Sequence, residues 1–290
     1  MIIKKHITQE HQGKRLDDAL ATLANISKSE ARRIIDRGGC ALNAAMVRVA
    51  SRTVKNGDTL EAGIMEQGRF SDLLLPPEAL LYEDDQLIAL NKPAGINTQR
   101  TPYQLKGTLE YWVSEYFRQQ GNNEPARVVH RLDRGTSGVM LFPKHKPAAA
   151  WLSARFHDSA MEKRYLALVS GTPPQESWCV DGAIGKIGSA RYGIVAEGRS
   201  AETSFKALAT AGDLALIEAT PRTGRTHQIR VHLASCGLPI VGDTTYGGRP
   251  ASRMMLHCAS LSFTSPQGVV HVISAPLDPL FNELMQTATT

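Results

Sequence analysis

An α+β fold without a nucleotide site, preceded by a small separate module, is predicted for this chain, and each part of that reading rests on one observation. Strand-like apolar runs are mixed with isolated helical patterns without regular alternation, which favours an α+β sheet over a doubly wound one. No Gly-x-Gly-x-x-Gly or Gly-x-x-x-x-Gly-Lys-Ser/Thr loop is present, so a nucleotide cofactor lacks support. Charge is also unevenly spread: residues 1–70 hold 12 Lys and Arg against 8 Asp and Glu, while the other 220 balance at 21 against 20. That split points to a small separate module in front that meets a polyanion, RNA or DNA first.

The chain has 290 residues, room for a small domain joined to a medium one. No apolar run approaches the roughly 20 residues of a membrane span, and the N-terminus lacks a secretory apolar core. Cys40, Cys179, Cys236 and Cys258 lie far apart. They suggest neither a metal site nor a disulfide framework, and a reducing cytoplasm is expected. His227 and His232 lack the glutamate of the metalloprotease pattern, so no zinc is read there.

Leu16, Ala19, Leu20 and Leu23 recur at helical spacing, with Asp17 and Asp18 in the favourable first turn. Ser27-Lys-Ser-Glu30 is a capping-box pattern that opens a second helix with Ala31, Ile34 and Ile35 inward, stopped at Gly38-Gly39. Arg32, Arg33 and Arg37 give that helix a basic character, the last two on one face. Strand-like pieces follow at 40–49 and 53–60, with Asn56-Gly57-Asp58 as turn chemistry. We divide the chain into a front module (1–64), a linker (65–80) containing a Pro pair, and a body (81–290).

In the body, Leu87–Leu90 is a buried-strand run, and Asn91-Lys92-Pro93-Ala94-Gly95 a rigid turn expected to present Lys92. Leu109–Phe117 has helical spacing, and a second helix is expected from Pro147 to about Phe156. Lys163–Val169 alternates into a strand with Tyr165 at its start, where a phenol can enter a cleft. Two further strands are expected at 203–209 and 214–220, and a terminal hairpin at 256–263 and 269–274.

Two loops carry the chemistry. His130-Arg131-Leu132-Asp133-Arg134-Gly135-Thr136-Ser137-Gly138 lies between Val128-Val129 and Val139–Phe142, both read as short buried strands. It holds one acid among cations, and a carboxylate near arginines keeps its charge, suiting a nucleophile or anionic stabiliser. The second loop runs Pro221-Arg222-Thr-Gly-Arg225-Thr226-His227-Gln-Ile-Arg230, with Thr226 as N-cap of a helix stopped at Gly237. Arginine at a positive helix end is not needed for the dipole, so Arg225 there suggests a held anion.

With these residues in view, the chain resembles a pseudouridine synthase of the RluA type. The resemblance rests on Asn91–Gly95, His130–Gly138, Arg222–His232 with Ile240–Asp243, and Leu256-His257, in the family's order across about residues 80–276. Residues 14–61 resemble the alpha-L RNA-binding module, carried best by Ser-Lys-Ser-Glu-Ala-Arg-Arg-Ile-Ile. The resemblance implies a mixed, largely antiparallel central sheet with flanking helices and loops, preceded by a small α/β RNA-binding module. It implies Asp133 as nucleophile, Tyr165 as the active-site tyrosine, and Arg225 as the basic residue paired with Asp133. It places Arg131 in the space of a flipped base, with His130, Lys92, Thr136, Arg222 and Arg230 as further RNA contacts beside Arg32, Arg33 and Arg37 in front.

The implied reaction isomerises uridine in structured RNA without metal, nucleotide or redox carrier. Ribosomal RNA is favoured over transfer RNA as partner, and a monomer is expected. Two departures stand out: Gly135 before Thr-Ser-Gly, and Ile96-Asn97-Thr98-Gln99 where an apolar-apolar-His continuation is usual. A binding-only assembly factor would not need Asp133, Tyr165 and Arg225 together. An unrelated hydrolase lacks a partner acid or metal cluster.

Overall fold

The computed structural model describes residues 2–36, 39–63, 75–100, 107–188 and 191–287. The chain forms two compact units, Met1–Leu74 with Gln99–Gln119, and Leu75–Thr98 with Gln120–Thr290. The second unit thus begins ahead of residue 81, and the helix expected at 109–117 groups with the first. Most of the expected linker, residues 65–74, lies outside the described residues, as does Arg37.

In the first unit, β1 (Ile2–His6), β2 (Cys40–Leu42), β3 (Ala45–Met46) and β4 (Thr59–Gly63) make an antiparallel sheet in the order β1-β4-β2-β3. Helices α1 (Leu16–Ala24) and α2 (Lys28–Asp36) accompany it. Leu16, Leu20, Ile34 and Ile35 are fully buried in one core with Leu42 and Leu60. Each such burial contributes about 1.5–3 kcal/mol. The Glu30 N–H donates to Ser27 Oγ at 3.2 Å, as the capping pattern requires. The strand expected at 53–60 is delayed to Thr59 because Asp58 folds back on the Lys55 N–H at 2.8 Å around Gly57. Helix α3 (Leu109–Gln119) buries Leu109, Val113 and Phe117 at four-residue spacing, while Trp112 and Tyr116 stack at 5.2 Å.

The second unit comprises β5 (Leu80–Glu83), β6 (Leu87–Lys92), β7 (Ser137–Pro143), α4 (Lys146–His157) and β8 (Glu162–Ser170). There follow β9 (Ser177–Asp181), β10 (Ile184–Lys186), β11 (Tyr192–Ile194), β12 (Glu202–Ala211) and β13 (Leu214–Pro221). Helix α5 (Gln228–Ser235), the hairpin β14 (Leu256–Thr264) and β15 (Val270–Ser274), and α6 (Pro279–Thr287) complete it. A nine-stranded sheet runs β5-β6-β7-β14-β8-β13-β12-β9, with β15 also on β14. Among the described residues its pairings are antiparallel except β7 with β14, so the sheet is mixed and largely antiparallel. At that parallel contact Gly138 (φ +110°) lies so close to β14 that an added Cβ would be 2.1 Å from the Cys258 carbonyl oxygen. Only glycine allows this approach. Ile229 and Leu233 of α5 and Phe281 of α6 join the core formed by β8, β13 and the start of β14.

Val128-Val129 is not a strand. β7 takes β6 along one edge, and the Leu141 N–H donates to His130 Nε2 at 2.9 Å instead of to another strand.

Candidate active site

The loop bearing Asp133 is held on both flanks. Thr98 Oγ1 donates to the Leu132 carbonyl at 3.0 Å and accepts the Leu132 N–H at 3.3 Å. On the other side, the Arg134 carbonyl accepts the Gly95 N–H at 2.7 Å, and Arg134 Nε donates to the Gly95 carbonyl at 2.9 Å. The Thr136 N–H closes the turn on the Asp133 carbonyl at 3.1 Å, and Thr136 is buried rather than offered to RNA.

Lys92 was expected to be presented, and the structure corrects this. It is fully buried, and its ammonium donates to the carbonyls of Pro93, Ile96 and Arg134 at 2.9, 2.8 and 3.4 Å. Burial lowers its pKa to about 7, against the raising effect of Asp133. Lys92 therefore ties the β6 turn to the residue after Asp133. His130 is likewise structural: it accepts from β7 and stacks on Phe156 at 4.2 Å.

Asp133, Tyr165, Arg131 and Arg225 line one cavity of about 590 Å³. Arg225 does not pair with Asp133, however. Its Nε donates to the Ser200 carbonyl at 2.9 Å. The expected Thr226 cap is displaced too: His227, in the left-handed region (φ +59°), precedes the first helical residue, Gln228. Arg225 thus stands in the loop before the helix. Arg230, inside the first turn, takes the role: its Nη1 donates to Asp133 Oδ2 at 3.0 Å. Asp133 Oδ1 accepts no hydrogen bond among the described residues, and the side chain keeps 21% of its exposure.

Arg230 is itself clamped. Nε and Nη2 form a two-pronged pair with Asp243 at 2.7 and 2.9 Å, and the guanidinium lies 4.9 Å from the Tyr246 ring centroid. Burial opposes its charge, but Asp243 and then Asp133 outweigh that and raise its pKa. Asp243 follows Gly242 (φ +81°), where an added Cβ would be 2.0 Å from the Arg253 carbonyl oxygen, so the loop needs glycine to fold under Arg230.

Tyr246 OH accepts the Tyr192 N–H at 3.0 Å and lies 2.8 Å from His227 Nδ1. The other ring nitrogen, Nε2, faces the site at 3.7 Å from Asp133 Oδ2. Burial lowers the His227 pKa and so favours the neutral imidazole.

Tyr165 lies on β8, a central strand flanked by β13 and β14. Burial, then Cys258 and Asp133, hold its pKa well above 10. The phenol is thereby held in its protonated form, and it lines the cavity together with Asp133. Gln228 staples the second loop: its Oε1 accepts Thr223 Oγ1 at 2.7 Å and the Arg225 N–H at 2.9 Å, and its Nε2 donates to the Glu202 carbonyl at 2.9 Å. Arg222 is exposed, 3.5 Å from Glu202. In the first unit Arg32 holds Asp17, and Arg33 Nε donates to the Ser29 carbonyl at 3.3 Å.

The family model for RNA pseudouridylate synthase matches residues 86–235, over half of the chain, and that span includes Asp133, Tyr165 and Arg230. The chain belongs to this family. It is 33% identical, over an alignment of 313 residues, to ribosomal large subunit pseudouridine synthase C of Escherichia coli (strain K12), covering 97% of this chain and 94% of that one. It is 31% identical to ribosomal large subunit pseudouridine synthase D of Zymomonas mobilis, covering 90% and 89%. Among solved structures, human RNA pseudouridylate synthase domain containing 1 superposes with a TM-score of 0.60 at 27% identity, covering 73% of this chain and 89% of that one. Domain containing 4 superposes equally well at 22% identity, covering 73% and 92%, which supports the fold alone. This pseudouridine synthase is an isomerase acting on RNA, and among its described residues no helix is long and apolar enough to cross a membrane.

Proposed function

We propose that this synthase converts uridine to pseudouridine in large-subunit ribosomal RNA, with Asp133 as the nucleophile. The single observation that carries the chemistry is Asp133 itself: one oxygen anchored by Arg230 at 3.0 Å, the other unpaired among the described residues, in a cavity shared with Tyr165. Such a carboxylate is oriented but not consumed by its partners, and it can add to the base or sugar or stabilise positive charge at C1′. Tyr165 stacks under the uracil, and Arg131, exposed at the mouth, fills the space the base leaves. Flipping the nucleotide costs a few kcal/mol, offset by pocket stacking and phosphate contacts.

The ribosomal target is supported by the similarity to the ribosomal large subunit pseudouridine synthases of E. coli and Z. mobilis. The first unit serves as an alpha-L-type RNA-binding module, with Arg32, Arg33 and Arg37 adding salt-sensitive affinity. On this reading the protein works as a cytoplasmic monomer.

Incubating the full chain with unmodified large-subunit ribosomal RNA and mapping pseudouridine chemically tests the reading. New pseudouridine is expected with the wild type and none with Asp133→Asn. Modification of transfer RNA alone would reassign the target, and an Asp133→Asn variant as active as wild type would remove the nucleophile.

A further inference from the structure

Lys163 is a buried cation that nothing described so far uses. It lies on β8 two residues before Tyr165, so both side chains leave the strand on one face, and both line the cavity. Its residue exposure is 8%. The only hydrogen bond of its ammonium among the described residues is a long one, 3.5 Å to the Arg222 carbonyl, and no carboxylate among them comes within 4.0 Å. Asp133 lines the same cavity beyond 4.0 Å, and the titratable groups nearer to Lys163 carry no negative charge. Burial raises the Cys258 thiol on β14 to about 12 and keeps the Tyr165 phenol protonated. The His130 imidazole, which feels the Lys163 charge, is neutral. Burial pulls the Lys163 pKa down, as expected for an ammonium without a counter-ion. An uncompensated buried charge is destabilising, so its place in the cavity calls for an anionic partner that arrives with the substrate.

We propose that Lys163 is a catalytic residue whose ammonium binds a carbonyl oxygen of the flipped uracil and stabilises the negative charge that develops there. The inference rests on the uridine-isomerising reading above but not on which route the carboxylate takes. If the N1–C1′ bond breaks first, its electron pair leaves with the uracil, as an anion delocalised over N1, O2 and O4. If Asp133 adds at C6 instead, the C5–C6 pair moves onto C5 and O4, and the new C6–O bond breaks again when C5 loses its proton, which restores the C5–C6 double bond and frees the carboxylate. In both cases the pair is returned when C5 bonds to C1′, and the proton lost from C5 is balanced by one gained at N1. A fixed cation beside O2 or O4 stabilises either charge-separated state more than the neutral ground state. The base is a better partner than a phosphate, because Arg131 is the exposed cation on the cavity lining while Lys163 is buried on the strand that carries Tyr165.

The test measures kcat and KM for Lys163→Met, Lys163→Gln and Lys163→Arg on the RNA that the wild type modifies, with thermal melts of each. Lys163→Met is expected to melt at or above the wild-type temperature while kcat falls about 100-fold or more, with KM within about twofold. Lys163→Arg, which keeps the charge, should recover at least about tenfold of that loss. Should the methionine variant fail to fold, the glutamine variant gives the same reading. A kcat within twofold of wild type without the charge would overturn the proposal, as would a raised KM at unchanged kcat, which marks a phosphate contact. Asp133→Asn separates the two readings: if it stays active the nucleophile is misassigned, whatever Lys163 does.

Discussion

Asp17 in the first unit and Asp133 in the second each meet guanidinium groups, yet the two carboxylates are left in opposite states. Asp17 is fully buried and saturated. Its Oδ1 accepts Arg15 Nε at 3.0 Å and the Asp18 N–H at 3.1 Å, and its Oδ2 accepts Arg15 Nη2 and Arg32 Nη2 at 2.9 and 3.0 Å. Hydrogen bonding from Arg15, against burial and with help from Arg32, lowers its pKa to about 2. Asp133 receives one N–H from Arg230, whose two-pronged grip is spent on Asp243. A carboxylate with every lone pair engaged fastens a fold. One held at a single oxygen retains a lone pair for chemistry.

The largest expected effect comes from exchanging each acid for its amide. Asp133→Asn should lower kcat at least about a thousandfold while leaving the urea midpoint near wild type. Asp17→Asn should leave kcat within twofold but cost about 2 kcal/mol in urea unfolding, the partly exposed arginines being rehydrated. A large kcat loss from Asp17→Asn would break the distinction between a fastening and a reacting carboxylate.

A second, smaller effect sharpens it. If Arg230 is steered by Asp243, then Asp243→Asn should lower kcat about 10- to 100-fold with little change in KM, because the donor to Asp133 swings out of register. Arg230→Lys should do the same, since an ammonium cannot serve both acids with a planar fork. The double variant should be little worse than the worse single one, as expected for residues acting through one network. Additive losses would mean that Asp243 acts elsewhere.

The sequence made one half of each arrangement legible. Asp133 stood out as an acid among cations in a loop before a buried strand, and Asp17 as a first-turn acid, but the partners did not follow. Arg32 is 15 residues from Asp17 and Arg230 is 97 from Asp133, so only tertiary packing joins them. Arg225 was paired with Asp133 through the family resemblance, and a helix expected to start at Thr226 suggested an anion held there. The left-handed His227 moves that start and turns the first-turn Arg230 into the cavity. A signal for Arg230 was available: it sits between Ile229 and Val231, both buried, and a buried guanidinium needs acids, one of which Asp243, just after Gly242, supplies. The β8 strand and the terminal hairpin were readable from alternation. By contrast β1, β10 and β11 were not, since three to five residues with few apolar positions carry no period. Lys92 was misplaced because a lysine in a Pro-Gly turn is normally solvated, whereas here three carbonyls converge on it.

The smallest effect is a difference in acid sensitivity between the two units. In the second, burial and then the Lys163 charge lower the His130 pKa to about 3, and burial also lowers those of His232 and His257. An unfolded imidazole takes up its proton near the ordinary value of about 6.5. Between that pH and about 3 the unfolded state therefore binds more protons, and stability present above the window drains away as pH falls. In the first unit the Asp17 contribution is complete above 3.8 and is lost only as pH falls through about 2. Amide hydrogen exchange, corrected for intrinsic rates at pH 7 and pH 4.5, should show protection falling in β7 and holding in α1. His130→Gln, whose amide oxygen can still accept the Leu141 N–H, should flatten the β7 response without touching α1. Parallel loss in both units would mean that acid acts on the protein as a single block, and the contrast between its two aspartates would then carry no consequence for stability.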